Sequence, residues 1–425
     1  MLSKKIVLDT AFALFLLSLL HRLVRQFISI HGCESWAISE FLNNYQGGFV
    51  RRGLTGEVLF FFAKNVNINV EWTIKIISLI CFVAVVTFFV KAFLRKGYTL
   101  YILPLSFFFG SLILNGCFWT RKDPLMLLSL IIVLWIFNAT NKQAVKCLAV
   151  NALSVVTLLI HEVFAFFALP VLFLLLFHHN KNKGILQSVV LSFSFLLPSI
   201  SIFFLLCFVY KGNYEIAQAI WNSWGAVGVI NTVEQPASAA IGALGWDSIK
   251  TFRLHLRLNF LCEHWGIISL LVWTVTFPTV YYIATNALLV FKKRDDIFTY
   301  KDRTILSSVL IFQWLCLSPV FLILSCDYGR VMLYWMASSF AIFLLISKEK
   351  IEELFPIWFT KCVERINNGL AGILWPTKTI IALLMMFIGI CTVSFYVPKV
   401  IYSSVIYNIL YILTKIPTVI IRNYF

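Results

Sequence analysis

The chain has 425 residues, of which 60% are hydrophobic, 16% aromatic and only 13% charged. Soluble domains are nearer half apolar and a quarter charged, and disordered segments are poorer in apolar residues, so the composition excludes both classes. The formal net charge of +16 is typical of a membrane protein whose basic residues collect in cytoplasmic loops, and we expect no nucleic-acid partner. Long apolar runs predict an all-α, polytopic integral membrane protein and not a β-barrel.

The first predicted span lies near the N-terminus. Lys4 and Lys5 precede an apolar run at 6–20 without a small-residue cleavage site, so we expect a retained span and not a removed signal peptide. A span needs roughly 20 apolar residues, and further candidates lie at 72–94, 98–114, 124–138, 185–210, 266–291, 304–324, 331–347 and 379–396. The tail at 400–421 either spans or lies in the interface. The stretch 147–177 is too long for one span and carries His161 and Glu162 at its centre, so it predicts two shorter helices meeting there and a total of 11 or 12.

Short basic loops predict the orientation of these helices. The loops lie at Lys4/Lys5, Arg95/Lys96, Lys142/Lys146, Lys181/Lys183, Lys292/Lys293/Arg294 and Lys348/Lys350. If the helices alternate, all six loops fall on one face, which should be cytoplasmic together with the N-terminus. The chain then forms one transmembrane domain, 1–425, with two external loops at 32–71 and 211–265 and a cytoplasmic loop at 348–378.

Four charged clusters break the expected shortage of Lys and Arg on the external face. They are the segments 47–53 (Gly-Gly-Phe-Val-Arg-Arg-Gly), 120–124 (Thr-Arg-Lys-Asp-Pro), 161–162 (His-Glu) and 326–330 (Cys-Asp-Tyr-Gly-Arg). Each lies at a helix end on the same side, so we expect all four to converge on one external cavity. A charge at the middle of a transmembrane helix costs about 2.5–3.5 kcal/mol, and less toward the ends, so such residues need a partner or a role.

Two of these clusters predict phosphate binding. Arg51 and Arg52 lie between glycines that suit a tight turn, and guanidinium groups bind phosphate oxygens two at a time. Contact with a lipid headgroup, or a salt bridge to Glu57, is the alternative. Arg121 and Lys122 precede a helix N-terminus, where a phosphate is also favoured. Pro124 suits the first helical turn and Asp123 its N-cap, so Asp123 is either a capping residue or a sugar-binding residue.

The other two clusters predict catalytic groups. Partial burial would let His161 or Glu162 titrate near neutrality, although a satisfied structural pair is the alternative. We expect Arg330 to face the same anion, and Asp327 to orient an arginine or bind a sugar hydroxyl, unless the two pair across their turn.

The external loops supply further candidates. Glu34 and Glu40 follow the first span, and either carboxylate can deprotonate an acceptor hydroxyl, with ordinary solvation as the alternative. Trp221 and Trp224 suit sugar binding, although tryptophans are also expected at a membrane interface without a ligand. The ten cysteines have no CxxC spacing, so we expect no cofactor and no metal site; a divalent metal is not required, although Asp123 or Asp327 can hold one. ATP-binding and HExxH motifs are absent from the sequence.

An arginine-rich external cavity with carboxylates and lipid beside it suits an anionic, lipid-linked sugar donor. In its predicted spans, its low charge, the acidic residues after its first span and its long external loop, the chain resembles bacterial surface-polysaccharide glycosyltransferases of the GT-C type and O-antigen polymerases. That resemblance implies sugar transfer from a polyprenyl-(di)phosphate-linked saccharide to a glycan acceptor on the periplasmic side. A transporter or flippase for lipid-linked glycans, a membrane O-acyltransferase using His161, and a non-catalytic assembly partner are the alternatives, and the oligomeric state is left open.

Overall fold

The computed structural model describes residues 4–29, 32–33, 35–106, 120–140, 142–231, 239–259, 266–292, 300–324 and 328–373. Within those ranges the protein is all-helical and forms no strand. This confirms the predicted all-α class. Two residues that the sequence points to, Glu34 and Asp327, lie outside the described ranges, as do the predicted spans at 379–396 and 400–421 and residues 107–114 of that at 98–114.

The helices follow one another with short connections. In chain order they are α1 (Lys4–Ser29), α2 (Trp36–Ser39), α3 (Leu54–Val66), α4 (Val70–Arg95), α5 (Leu103–Ser106), α6 (Asp123–Ala139), α7 (Gln143–Ile160), α8 (Phe164–Asn180), α9 (Ile185–Phe204), α10 (Tyr214–Ala226), α11 (Ala239–Gly242), α12 (Ser248–Asn259), α13 (Gly266–Val290), α14 (Tyr300–Pro319), α15 (Tyr328–Leu345), α16 (Lys348–Leu354) and α17 (Ile357–Ile373). Short 3-10 turns lie at Glu40–Leu42, Leu100–Ile102, Lys181–Lys183 and Ala243–Gly245, and π-helical turns extend α9 at Leu205–Val209 and α14 at Val320–Leu324.

Several of these helices are long and apolar enough to cross a membrane. Within the described ranges there are six, or seven if the bent pair α15 and α16 forms one span. The six are Lys5–Ile28, Val70–Arg95, Gln143–Ile160, Phe164–Lys183, Ile185–Val209 and Asp302–Leu324. All six coincide with predicted spans, so the chain is a multi-pass membrane protein. The predicted total of 11 or 12 also includes segments outside the described ranges.

The predicted interruption at His161 is confirmed. Helix α7 ends at Ile160, His161 adopts an extended backbone (φ −163°, ψ 125°), and α8 begins at Phe164. Each of the two helices is long enough to be a span of its own. The interruption therefore places the His161–Glu162 dipeptide at the end of two spans and not in the middle of one.

The basic loops collect at one end of the helix bundle. The links between them are Lys96 Nζ to Phe343 O (3.0 Å), Lys348 Nζ to Asp302 Oδ1 (2.6 Å), Lys181 to Glu353, Lys350 Nζ to Asn138 Oδ1 (3.4 Å) and a bridge between Tyr98 and Lys292. These contacts agree with the prediction that the loops share a face. That this face is cytoplasmic stays a prediction.

The described parts of the segments 32–71 and 211–265 pack against each other through a second, smaller hydrophobic core. Trp224 lies at its centre, where its indole Nε1 donates a hydrogen bond to Leu42 O (2.6 Å). Asn44 Nδ2 donates to Ser223 Oγ (2.9 Å), and the backbone N–H of Arg51 donates to Tyr210 O (2.8 Å). This small core therefore supports the turn that carries the two adjacent arginines.

Helix α15 organises the main core. It packs against α4, α6, α8 and α14, and from Val331 to Leu344 its side chains are buried. Arg330 lies at the start of this enclosed helix, so its guanidinium is directed into protein and not into lipid. Burying a charge in this way requires a partner of opposite sign.

Candidate functional site: a buried ion network

Residues from all four charged clusters meet at the end of the bundle opposite the basic loops. Arg51 and Arg52 contact Glu162, Arg121 contacts Glu40, and Arg330 contacts both Glu40 and Asp123. The partners are separated by 81 to 290 positions in the chain. The four clusters therefore come together as predicted, in a buried ion network that Glu40 joins together; that this end is external and opens into a cavity stays a prediction.

Arg51 and Arg52 form the outer, accessible part of the network. Arg52 Nε lies 2.9 Å from Glu162 Oε2 and its Nη2 lies 2.5 Å from Oε1, which is a two-point contact, while Arg51 Nη1 lies 3.4 Å from the same Oε1. The side-chain exposures are 23% for Arg51, 26% for Arg52 and 11% for Glu162. The alternative of a salt bridge to Glu57 is wrong, because that carboxylate accepts hydrogen bonds from Tyr45 N and Gln46 Nε2.

The turn carrying these arginines is fixed by close approach of the backbone. A Cβ added at Gly53 would lie 2.1 Å from Tyr45 Cε1, and one added at Gly56 would lie 2.0 Å from the carbonyl oxygen of Asn43. Arg52 itself has a left-handed backbone (φ 64°), which costs free energy for a residue with a side chain. Of the glycines predicted to make a tight turn, Gly47 and Gly53 are therefore required for packing space, and Gly48 for its left-handed backbone (φ 118°).

Glu40 is the centre of the inner part of the network, with only 2% of its side chain exposed. Arg121 Nε lies 2.6 Å from its Oε2, and Arg330 Nη2 lies 3.1 Å from its Oε1. Burial alone would raise the pKa of Glu40, but the guanidinium groups of Arg121 and Arg330 outweigh burial and hold that pKa well below its ordinary value. Glu40 is therefore a buried, ionised carboxylate already satisfied by protein groups, not a solvated loop residue.

Asp123 is a buried partner of Arg330 and not a helix cap. It is the first residue of α6, the preceding Lys122 occupies the N-cap, and neither makes a side-chain capping bond, so the capping alternative is wrong. Arg330 Nε lies 2.8 Å from Asp123 Oδ1, and the Tyr334 hydroxyl donates to the same oxygen. Since Asp123 is 1% exposed, it is not positioned to bind a sugar. Pro124 lies in the first turn, as predicted.

Tyr334 is a further member of the network and was not among the residues predicted from the sequence. Its hydroxyl bonds to Asp123, and its ring stacks on Phe167 with centroids 5.2 Å apart. The available signal was its spacing: a residue four positions after Arg330 lies on the same face of a helix. Tyr334 therefore extends the polar network inward from Arg330.

Lys122 is a buried member of the network. Its side chain is fully buried, and Nζ donates to the carbonyl oxygens of Arg52 (3.0 Å) and Ile160 (3.1 Å). Burial lowers the pKa of Lys122 to about 7, against the opposing effect of Glu40. A neutral amine has two N–H donors, which match these two carbonyls. Lys122 thus ties the arginine turn to the end of α7, so its predicted contact with phosphate does not fit its position.

His161 is held as a neutral imidazole. Its Nδ1 accepts a hydrogen bond from Val163 N (3.2 Å), and its Nε2 lies 3.6 Å from Glu40 Oε1. Burial and the Arg52 charge hold the pKa of His161 well below its ordinary value. Burial would raise the pKa of Glu162, but Arg52 and His161 hold it well below its ordinary value too. The expectation that either residue titrates near neutrality is therefore wrong for the resting site.

The two tryptophans do not offer a sugar-binding face. Trp221 and Trp224 are 1% and 0% exposed, packed in the small core beneath the arginine turn, and the Phe60 ring meets Trp224 edge-on at 5.3 Å. Stacking on a sugar requires an open ring face, so this prediction does not fit the structure. Their role in the fold is to support the segments that carry Glu40 and the arginines.

The network carries excess positive charge. Among the described residues it contains five cationic side chains and three carboxylates. The cations are Arg51, Arg52, Arg121, Lys122 and Arg330, and the carboxylates are Glu40, Asp123 and Glu162. With His161 neutral, the excess is two positive charges when Lys122 is protonated and one when it is not. Of these five cations, Arg51 and Arg52 are the most exposed to solvent.

A metal ion needs side chains that are grouped closely enough to bind it. Within the described ranges, no group of three or more His, Cys, Asp or Glu side chains is arranged to hold one. When the chain is compared with models of protein families, with curated proteins and with solved structures, nothing matches it.

Proposed function

We propose that this chain is a membrane glycosyltransferase or polymerase acting on polyprenyl-(di)phosphate-linked sugars at the periplasmic face of a bacterial inner membrane, in the biosynthesis of O-antigen or another surface polysaccharide. The observation that carries the proposal is the pair Arg51 and Arg52, partly exposed at the edge of a buried ion network and in contact with Glu162. Guanidinium forks match phosphate oxygens. The surrounding helices are long and apolar enough to cross a bilayer, and the lipid part of such a donor would lie in that bilayer.

Apolar side chains beside the arginines suit the lipid part of such a donor. Phe49 is exposed next to the arginine turn, and its ring meets the ring of Tyr210 edge-on at 4.8 Å. Phe208 and Val209, which precede Tyr210, are also exposed. A prenyl chain that lies along this surface brings its phosphate to Arg51 and Arg52, because Arg51 is bonded through its backbone to Tyr210.

In this proposal Glu162 is the general base, and donor binding increases its basicity. In the resting site both arginines are held by Glu162, and their charges lower its pKa. A phosphate competes with the carboxylate for the same N–H groups. As the arginines turn toward the phosphate, the pKa of Glu162 rises, because two of the charges that lowered it are shared with another anion. Glu162 then becomes a stronger base when the donor is in place.

The transfer step follows from these positions. The acceptor hydroxyl oxygen forms a bond to the anomeric carbon, its proton passes to the Glu162 carboxylate, and the bond from that carbon to the phosphate oxygen breaks. The electron pair stays on the phosphate, whose added charge is stabilised by Arg51 and Arg52. Glu40 is enclosed and doubly ion-paired, so we assign it a positioning role.

The interruption between α7 and α8 also suits a transporter or flippase for the same lipid-linked glycans, since transporters use broken helices at their binding sites. An O-acyltransferase using His161 is less well supported. Its Nδ1 is already occupied by Val163 N–H and its Nε2 faces Glu40, so neither nitrogen is open to an incoming hydroxyl.

Purified full-length protein in lipid nanodiscs, supplied with a polyprenyl-diphosphate-linked oligosaccharide, tests the proposal by product length. A ladder of products indicates a polymerase, and one added unit indicates a simple transferase. Glu162→Gln should lower turnover about 100-fold or more, since a general base contributes at least that factor. Glu364→Gln, at an exposed carboxylate on α17, is the control. Unchanged turnover in Glu162→Gln would overturn the assignment of the base, and lipid movement without a new glycosidic bond would favour the flippase.

A further inference from the structure

The opposite end of the same helices carries a second cluster of basic side chains, around the ring of Phe137. Helices α6, α7, α8 and α15 have the ion network at one end and, at the other, Phe137 on α6, Lys146 on α7, His179 on α8 and Lys350 just beyond α15. None of these four residues takes part in the proposed reaction. Their arrangement is therefore a separate feature of the fold.

Two lysines share one aromatic ring at this end. Lys146 Nζ lies 4.6 Å from the centroid of Phe137, and Lys350 Nζ lies 5.3 Å from the same centroid. Lys350 also contacts Asn138 Oδ1 at 3.4 Å. The ring stabilises each ammonium by cation–π attraction, but it supplies no negative charge. Two like charges are thus held close together.

Among the described residues, these cations have no carboxylate of their own. The charges acting on His179 come from Lys146, Lys350 and Lys183, and the charge acting on Lys350 comes from Lys146. The nearby Glu353 is engaged by Lys181 and by His178 (3.5 Å), and Asp302 is engaged by Lys348. Lys146 is nonetheless buried to 8% exposure. A cluster of this kind favours an anion from outside the chain.

Apolar side chains beside the cluster identify the kind of anion. Val145 and Leu148, which flank Lys146 on α7, are exposed, as is Trp135 on α6. Exposed apolar residues with a tryptophan next to cations are typical of the level where phospholipid headgroups meet acyl chains. A soluble phosphate would leave these apolar surfaces in water, whereas a phospholipid covers them.

We propose that Lys146, Lys350 and His179 bind the phosphodiester headgroup of an anionic phospholipid, whose acyl chains lie along Val145 and Leu148. The site anchors one face of the bundle to the membrane surface. It is independent of the sugar-transfer proposal, since it shares no residue with the ion network.

The test uses full-length protein in nanodiscs containing phosphatidylglycerol and phosphatidylcholine, with retained lipid counted by native mass spectrometry. Wild-type protein should retain phosphatidylglycerol preferentially. The double variant Lys146→Gln/Lys350→Gln should lower that preference about tenfold or more, since each lysine near an anionic surface strengthens attachment about fivefold. Lys361→Gln, at an exposed cation on α17, should keep it. Equal preference in the double variant and the wild type would overturn the proposal.

A second measurement does not depend on the variants folding. The melting temperature of wild-type protein should be higher with phosphatidylglycerol than with phosphatidylcholine, and millimolar inorganic phosphate in phosphatidylcholine should not reproduce the increase. If inorganic phosphate alone gives the same increase, the ligand is a free anion and the lipid assignment is wrong. If neither anion changes the melting temperature, the site itself is wrong.

Discussion

Arg121 Nε lies 2.6 Å from Glu40 Oε2, and this buried ion pair joins the segment after α1 to the segment before α6. Arg330 contacts the other oxygen of the same carboxylate from the start of α15. One side chain therefore holds three distant parts of the chain together. The positions of Arg51, Arg52 and Glu162 depend on this inner network, because Lys122 bonds to the Arg52 carbonyl from within it.

The first prediction concerns the stability of that network. Glu40→Gln removes the charge shared by Arg121 and Arg330 and leaves two buried cations less compensated, so we expect a loss of about 3–5 kcal/mol in the free energy of unfolding. Denaturation of the purified protein in detergent measures it. Glu364→Gln, at an exposed position, should change that free energy by less than about 0.5 kcal/mol. A Glu40→Gln protein as stable as the wild type would show that the pairs contribute nothing.

The second prediction concerns the close packing of the arginine turn. Gly56→Ala places a Cβ 2.0 Å from the backbone oxygen of Asn43, so the 43–53 segment must shift. We expect a destabilisation of about 1–3 kcal/mol together with lower sugar transfer. Gly369→Ala is the matched control, because its Cβ meets nothing within 4 Å and alanine favours a helix. Equal stability of the two variants would contradict the described turn.

The third prediction concerns how the free energy of unfolding changes with pH above 7. Lys122 has its pKa lowered by burial to about 7 from an ordinary 10.5. Between those values the unfolded chain binds a proton that the folded chain does not, so Lys122 makes stability rise with pH by up to about 1.4 kcal/mol per unit. Below pH 7 the lysine is charged in both states and contributes no slope.

Lys122→Met should remove that slope. The free energy of unfolding, measured from pH 7 to 10, should rise less steeply in Lys122→Met than in the wild type, whereas Lys64→Met, at an exposed lysine on α3, should leave the slope unchanged. Parallel curves for the wild type and Lys122→Met would show that Lys122 keeps an ordinary pKa.

The fourth prediction concerns sidedness. A cysteine replacing the exposed Lys64 should react with a membrane-impermeant maleimide in intact cells, because the segment 32–71 is predicted to be external. A cysteine replacing the exposed Lys183 should react only after the inner membrane is opened. Labelling is read against the unchanged protein, which has cysteines of its own. The reverse pattern would place the arginine turn in the cytoplasm and contradict the proposed periplasmic reaction.

Much of this site was predictable from the sequence because charges inside apolar chains are costly. The interruption at His161 followed from a stretch too long for one span, and the convergence of Arg51, Arg52 and Arg330 followed from counting alternating helices. Which carboxylate pairs with which arginine was not predictable. Glu162 is 110 residues from Arg52, and Asp123 is 207 from Arg330, so only helix packing selects these partners.

Burial of the aromatic residues could not be read from the sequence either. An amphipathic helix such as α10 gives the same pattern whether its apolar face meets sugar, lipid or protein, and here Trp221 and Trp224 meet Phe60 and Leu42. The role of Asp123 was misjudged for a related reason. A carboxylate before Pro124 satisfies the rules for a helix cap, and only the arrival of Arg330 from α15 shows its actual partner.

The binding of polyprenyl phosphate, compared with that of polyprenol, tests most directly whether Arg51 and Arg52 hold a phosphorylated lipid. Wild-type protein in nanodiscs should bind the phosphate at least about tenfold more tightly than the alcohol, since hydrogen bonds to a charged group contribute about 1.5–3 kcal/mol. Arg51→Ala/Arg52→Ala should lose that difference, and Lys64→Ala should keep it. Equal binding of phosphate and alcohol by the wild type, or an unchanged preference in the double variant, would contradict the account.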